Sequence, residues 1–192
     1  MTDDEGPDSA VLAGLRDQPE LIGVLYERHA GAVFRFLARR AGPTAAEDLL
    51  SEVFVAAIRA RTRVVAHDSG SALPWLYGIA LNVVRHHLRS ARSQAAPSSA
   101  GPDLGMDWDE VAARLDARAQ RDQLHCALSA LSPVDRDLLL LVAWEDLTPA
   151  EAADVLGISK VAARSRLHRA RHRAAQILAG LPRKPATLRS TR

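Results

Sequence analysis

Between Thr148 and Arg173 the chain reads TPAEAADVLGISKVAARSRLHRARHR, and few folds accommodate that run. The spacing predicts two short helices joined by a tight turn. Thr148 suits the N-cap and Pro149 the first helical position, and Glu151 stands where a reciprocal capping box needs it. Ala152, Val155 and Leu156 fall on one side. Gly157 can take the left-handed conformation that ends a helix, Ile158 plugs the corner and Ser159 caps the second helix. In that helix Ala163, Leu167, Ala170 and Ala174 form a narrow stripe of mostly small side chains. The opposite face carries Arg164, Ser165, His168, Arg169 and His172, flanked by Lys160, Arg166, Arg171 and Arg173, with no acid among them. That is the layout of a helix-turn-helix whose second helix enters the major groove of DNA. Arginine makes paired hydrogen bonds to guanine, serine and histidine reach base edges, and the flanking cations neutralise phosphates. The blander alternative is a solvated basic helix packed by its alanines, but cap, turn, stripe and basic face all agree on DNA.

The rest of the composition fits a helical, DNA-directed chain. Of 192 residues 47 % are hydrophobic but only 4 % aromatic, and this Ala/Leu/Val bias favours helices over sheets. Net charge is only +2, yet it is unevenly spread. The first twenty residues hold Asp3, Asp4, Glu5, Asp8, Asp17 and Glu20 against Arg16. No acid lies between Asp68 and Asp103, or after Asp154. Two separated basic regions point to two separated contacts with a polyanion. Cys126 is the only cysteine, so no intrachain disulfide can form. No apolar run reaches the roughly eighteen residues of a membrane span, and the acidic N-terminus lacks a signal-peptide pattern. A cytoplasmic location is expected.

Taken in order, residues 1–17 are expected to be an acidic, mobile segment. Helical patterning comes next, with Leu21, Val24, Leu25 and His29 on one face, then Val33, Phe34, Phe36 and Leu37, until Gly42-Pro43 breaks it. Thr44 is expected to cap the next helix, with Glu47 completing a second capping box. That helix, Ala45 to about Arg61, has an apolar stripe of Leu49, Leu50, Val53, Phe54, Ala57 and Ile58, with Asp48 and Glu52 at its edge. Residues 62–73 read as a loop. Pro74 opens a helix on which Gly78, Asn82, Arg85, Arg89 and Arg92 form a polar row, a second basic surface. Residues 94–121 read as a linker, rich in Ser, Ala, Pro and Gly as far as Gly105, after which Asp107 to Asp122 carry mixed charges over Val111 and Leu115 as a weak helix leading into the second unit. Leu124, Leu128 and Leu131 begin a second unit, Ser132-Pro133 starts its next helix, and Leu138, Leu139, Leu141 and Val142 supply a core. Residues 181–192 form a basic tail. The expected fold is all-α: two small helical domains, residues 18–93 and 122–180, joined by a flexible linker, the second containing the helix-turn-helix.

Enzymatic signatures are missing. His125-Cys126 has no second metal-binding pair, and at helical spacing beside Leu124 and Leu128 the cysteine reads as a buried or half-buried small residue. There is no phosphate loop, nucleophile elbow or dinucleotide fingerprint. Neither catalytic site, metal nor cofactor is expected. Asp48 and Glu52 read as an acidic patch that docks on a basic partner surface.

Two blocks then resemble a known family. LSPVDRDLLLLVAWEDLTPAEAADVLGIS followed by ARSRLHRAR is similar to the fourth region of bacterial RNA polymerase sigma factors, in particular the extracytoplasmic-function (ECF) class. LYERHAGAVFRFLARR, AEDLLSEVFVAAIRA and PWLYGIALNVVRHHLR resemble that family's second region. The resemblance implies an initiation factor that binds core RNA polymerase, places it on promoter DNA and helps melt the start region. Asp48, Ser51, Glu52 and Phe54 match the helix that docks on the largest polymerase subunit. The loop from Arg63 to Ser71, with His67 and Asp68, and the helix bearing Asn82, Arg85, His86 and Arg89 match the elements that open and read the minus-ten element, where a flipped non-template base is captured. Lys160, Arg164, Ser165, Arg166, His168, Arg169 and Arg171 fall on the minus-thirty-five reading surface. The linker would thread through the polymerase, and an anti-sigma factor is implied as a further partner. Val161-Ala162-Ala163 stands where the family commonly has Gly-Thr-Val. The rival reading is a stand-alone helix-turn-helix regulator on duplex operators, which accounts for residues 148–173 but not for the second basic helix or the acidic edge.

Overall fold

The structure, a computed structural model, describes residues 7–64, 69–94 and 118–180, and every regular element among them is helical. The N-terminal unit contains α1 (Asp8–Gly14), α2 (Ile22–Ala41), α3 (Pro43–Ala60) and α4 (Leu73–Gln94); the C-terminal unit contains α5 (Arg118–Ser129), α6 (Pro133–Trp144), α7 (Pro149–Leu156) and α8 (Lys160–Gly180). The linker core (95–117), the tail (181–192), and residues 1–6 and 65–68 lie outside the described residues.

Helices α2, α3 and α4 pack on one another through stripes set by the helical repeat. Leu25, Val33, Phe36 and Leu37 face Ala46, Leu49, Val53 and Ala57 from α3 and Leu76, Tyr77, Ala80, Leu81 and Val84 from α4, all buried. Gly42 turns the chain between α2 and α3 with φ 82°, and its N–H still bonds the Ala38 carbonyl at 2.9 Å. Here the structure departs from the expected cap. Helix α3 begins at Pro43, before Thr44, and no side chain caps it. Proline presets the first helical φ and needs no N–H partner, so the helix starts before the Thr44 hydroxyl can cap it.

The N-terminus departs further from expectation. Residues 8–14 form α1, which buries Leu12, and Leu15 just beyond it is buried too. Asp8 fixes this segment. Its carboxylate accepts from Arg28 Nη1 at 3.1 Å and from the Ala72 N–H at 2.9 Å, and lies 2.7 Å from His29 Nε2. Burial by itself would raise its pKa, but the Ala72 amide, Arg28 and His29 together hold it below the usual carboxylate range. Ala72 immediately precedes α4, so this carboxylate from α1 accepts the N–H of the residue in the N-cap position, as the far side chain of a capping box does.

In the C-terminal unit α6, α7 and α8 enclose Leu138, Leu141, Ala152, Ala153, Ala163 and Leu167, while Leu128, Leu131, Leu140 and Ala170 form a smaller cluster. The Ser132 hydroxyl caps α6 by accepting the Asp135 N–H at 3.2 Å. The larger core runs across both units, with α4 lying against α7.

Leu15→Ala should lower stability by about 2–5 kcal/mol in urea unfolding, because it empties a sealed site; no change would mean that α1 is not docked. Asp8→Asn should cost most at neutral pH. The folded pKa lies below the ordinary 3.8, so the carboxylate's contribution is complete above that value and is lost as pH falls through the folded value. Thermal melts of Asp8→Asn and the unsubstituted protein should differ at pH 7 and converge well below pH 3.8.

Candidate nucleic-acid interface

The helix-turn-helix forms as its local chemistry demands. Thr148 Oγ1 accepts the Glu151 N–H at 3.2 Å, and Glu151 Oε2 accepts the Thr148 N–H at 2.7 Å, closing the capping box. Gly157 sits at φ 66°, ψ 33°, which ends α7, and Ile158 donates back to the Ala153 carbonyl at 3.0 Å. Ser159 Oγ then accepts the Ala162 N–H at 3.1 Å and starts α8. Ala163, Leu167, Ala170 and Ala174 are buried as the stripe required. Lys160, Arg164, Ser165, His168, Arg169, Arg171, His172 and Arg173 are exposed. Pro149, Arg164, Leu167, His168, Arg171 and His172 line a shallow depression along this face.

Arg166 stands apart from that set. It is half-buried, and its Nη1 donates to Asp135 Oδ1 at 3.0 Å, fixing the angle of α8 on α6. Burial raises the Asp135 pKa, but hydrogen bonds from Ser132 and Arg166 and the charges of Arg166 and Arg169 outweigh it, so the carboxyl is held low. Val161, 75 % exposed, is an apolar side chain at the very start of α8.

A second polar face lies on α4. Asn82, His86 and Arg89 are exposed along one row, and Arg63 is exposed in the short 3-10 turn after α3. His67 and Asp68 lie outside the described residues. Arg85 differs from its neighbours: its Nη2 donates to Asp137 Oδ2 on α6 at 2.7 Å.

A third face lies on α3. Asp48, Ser51 and Glu52 are exposed together, whereas Phe54 is only 7 % exposed and meets the Tyr26 ring edge-on at 4.8 Å. Beside the acids stand Tyr26, Val55 and Ile58, all exposed. Ile58 thus leaves the core stripe in which its spacing placed it. Tyr26 and Val55 give no sequence signal beyond ordinary helix positions. The face is therefore acidic and apolar at once. Cys126, expected to be at least half-buried, is exposed. Among the described residues no group of acid, histidine and cysteine side chains could hold a metal, and no helix is long and apolar enough to cross a membrane.

The sigma-70 region 2 family pattern matches residues 25–94, and the sigma-70 region 4 pattern matches residues 121–173. The chain belongs to the sigma-70 family. It is 36 % identical to the RNA polymerase sigma factor CarQ of Myxococcus xanthus over 82 % of this chain and 88 % of that protein. It is 31 % identical to the ECF RNA polymerase sigma factor SigC of Mycobacterium tuberculosis, over 88 % and 90 %. Among solved structures, CnrH in complex with the cytosolic domain of CnrY superposes with TM-score 0.60 at 25 % identity, covering 91 % of this chain and 98 % of that one. This chain is thus an ECF sigma factor, which directs RNA polymerase to promoters. The unit from α2 to α4 is region 2, and α5 to α8 is region 4.

Regions 2 and 4 meet at a buried charge cluster that the sequence does not signal. Arg39 Nη2 of α2 lies 2.5 and 2.6 Å from the two carboxylate oxygens of Glu145, the residue that ends α6. Arg40 Nη1 is 3.7 Å from the same carboxylate. The Arg40 guanidinium stacks 3.7 Å over the Phe36 ring, and Arg39 lies 5.9 Å from the Trp144 ring. Burial pulls the Arg40 pKa down, against the pull of Glu145.

Thr148→Ala removes one half of the capping box and should cost about 1 kcal/mol of stability. Denaturant unfolding checks this, and an unchanged midpoint would mean that the box contributes nothing.

Proposed function

We propose that this sigma factor reads its promoter with two separate faces and docks on polymerase with a third. Arg164, Ser165, His168 and Arg169 on α8 read bases of the minus-thirty-five element in the major groove, and Lys160 and Arg171 neutralise flanking phosphates. Arg166 contributes by holding α8 in place through Asp135. Asn82, Arg85, His86 and Arg89 of α4, with Arg63, His67 and Asp68, read and open the minus-ten element. Asp48, Ser51 and Glu52 bind the largest subunit of core polymerase, joined by the exposed Tyr26, Val55 and Ile58; Phe54 backs this surface from beneath Tyr26. The chain has no catalytic activity or cofactor of its own and works where the polymerase is, in the cytoplasm.

The observation that carries this reading is the outward face of α8, exposed, rich in arginine and free of acids, on a helix set by an intact capping box and turn. The stand-alone regulator explains that face alone and leaves the acidic and apolar surface of α3 without a purpose. An anti-sigma factor is a further partner on this reading. The related CnrH was solved with the cytosolic domain of CnrY, and its fold matches nearly the whole of this chain.

Run-off transcription with purified core polymerase on a promoter library tests the proposal. The full chain should confer promoter-specific initiation, and a chain that binds duplex DNA but forms no holoenzyme would favour the regulator. Arg164→Ala and Arg169→Ala should each weaken selection at the minus-thirty-five element by about 1–3 kcal/mol while leaving polymerase binding unchanged.

A further inference from the structure

We propose that Val161 is a specificity-determining residue that reads the C5-methyl group of a thymine in the minus-thirty-five element. This deepens the reading of the α8 face given above and rests on it.

Val161 lies on the outward side of α8. The buried stripe of that helix is Ala163, Leu167, Ala170 and Ala174. Each of these comes two positions after a member of the row Val161, Ser165, His168 and His172. Two residues turn an α-helix by about 200°, so the row runs along the side opposite the core, and all four of its members are exposed. Val161 opens the row as the second residue of α8. The N-terminal residues of a recognition helix are the ones that contact base edges. Val161 therefore stands one turn before Ser165, in line with the polar side chains proposed to read bases.

Its chemistry differs from theirs. A lone apolar side chain on a protein surface is ordinary. At 75 % exposed, however, Val161 is the most exposed large apolar side chain among the described residues. It stands between Lys160 and Arg164 in sequence, on a helix that carries no acid. A surface so cationic selects a polyanion as its occupant. In the major groove of DNA the thymine methyl is the apolar group on offer, and apolar side chains recognise it. The family commonly has glycine at this position, which has no side chain to make the contact, so the thymine preference is a property of this chain.

The local structure holds the side chain ready. Ser159 Oγ accepts the Ala162 N–H at 3.1 Å, and the Ser159 carbonyl accepts the Ala163 N–H at 2.9 Å, which fixes the turn that carries Val161. Valine in a helix keeps essentially one χ1 rotamer, so little side-chain freedom is lost when the groove covers it.

The test uses the full chain with core polymerase and a promoter taken from the run-off library. Each thymine of the minus-thirty-five element, on either strand, is replaced in turn by deoxyuridine. That change removes the methyl group and leaves every hydrogen-bonding group in place. Competition binding at one fixed salt concentration gives the affinities. At one thymine, loss of the methyl should weaken binding by the unsubstituted chain about fourfold. Val161→Ala should not distinguish thymine from deoxyuridine at that position, and promoters selected with it should show a relaxed base preference there. The variant should fold, because the site is exposed and alanine is the better helix former. Equal affinity for thymine and deoxyuridine at every position would overturn the contact. So would a selected element without thymine, or a methyl effect that persists in Val161→Ala. If Arg164→Ala and Arg169→Ala still weaken selection in those cases, only the thymine contact falls. If they too leave selection unchanged, the α8 reading itself fails.

Discussion

A carboxylate shut in with two guanidinium groups joins the two halves of this molecule, and its physics differs from that of an apolar seam. A buried ion pair returns little net stability, because desolvation offsets most of the attraction, yet removing one partner alone is costly. Glu145, Arg39 and Arg40 thus form a joint in which each member depends on the other two. When both sides go into water together each charge regains its hydration; when one is lost, the other is stranded. Phe36, Tyr77 and Trp144 surround the cluster and help keep water from it while the joint is closed.

Charge is segregated around that joint. On α8 the buried stripe consists of three alanines and one leucine, so the helix lies close to its neighbours and its long cationic side chains stand outward. With no acid after Asp154, nothing nearby on the same helix competes with phosphate for them. The acids lie elsewhere: on the open face of α3, at the inner edge of α6, where Asp135 and Asp137 engage Arg166 and Arg85, and in α1, where Asp8 secures the start of α4. The half-buried acids thus fix helices in place, while Asp48 and Glu52 on α3 stay exposed.

What the sequence made legible was local. The capping box at Thr148, the turn at Gly157 and the alanine stripe of α8 are each written within a few residues, and each formed as read. The Thr44 cap failed because the adjacent Gly-Pro pair settles the helix start first. Helix α1 escapes a reading of the sequence because Leu12 and Leu15 are too few to mark a periodic face, and because the partners of Asp8 at Arg28 and Ala72 are distant in sequence. Arg39 and Glu145 lie 106 residues apart. A pair of arginines ending α2 looks like an ordinary complement to the helix dipole, so no local pattern exposes the joint. The proposal that α3 docks on polymerase came from family resemblance. Composition offered only an acidic edge, and the apolar part of that face became visible once Tyr26, Val55 and Ile58 were placed in space.

One chain is to join core polymerase to promoter DNA through the separate faces of regions 2 and 4. Binding of a labelled promoter fragment by core polymerase, with and without the full chain, measures this most directly. Promoter-specific binding should appear only when the chain is present. Specific binding that is the same in its absence would contradict the account.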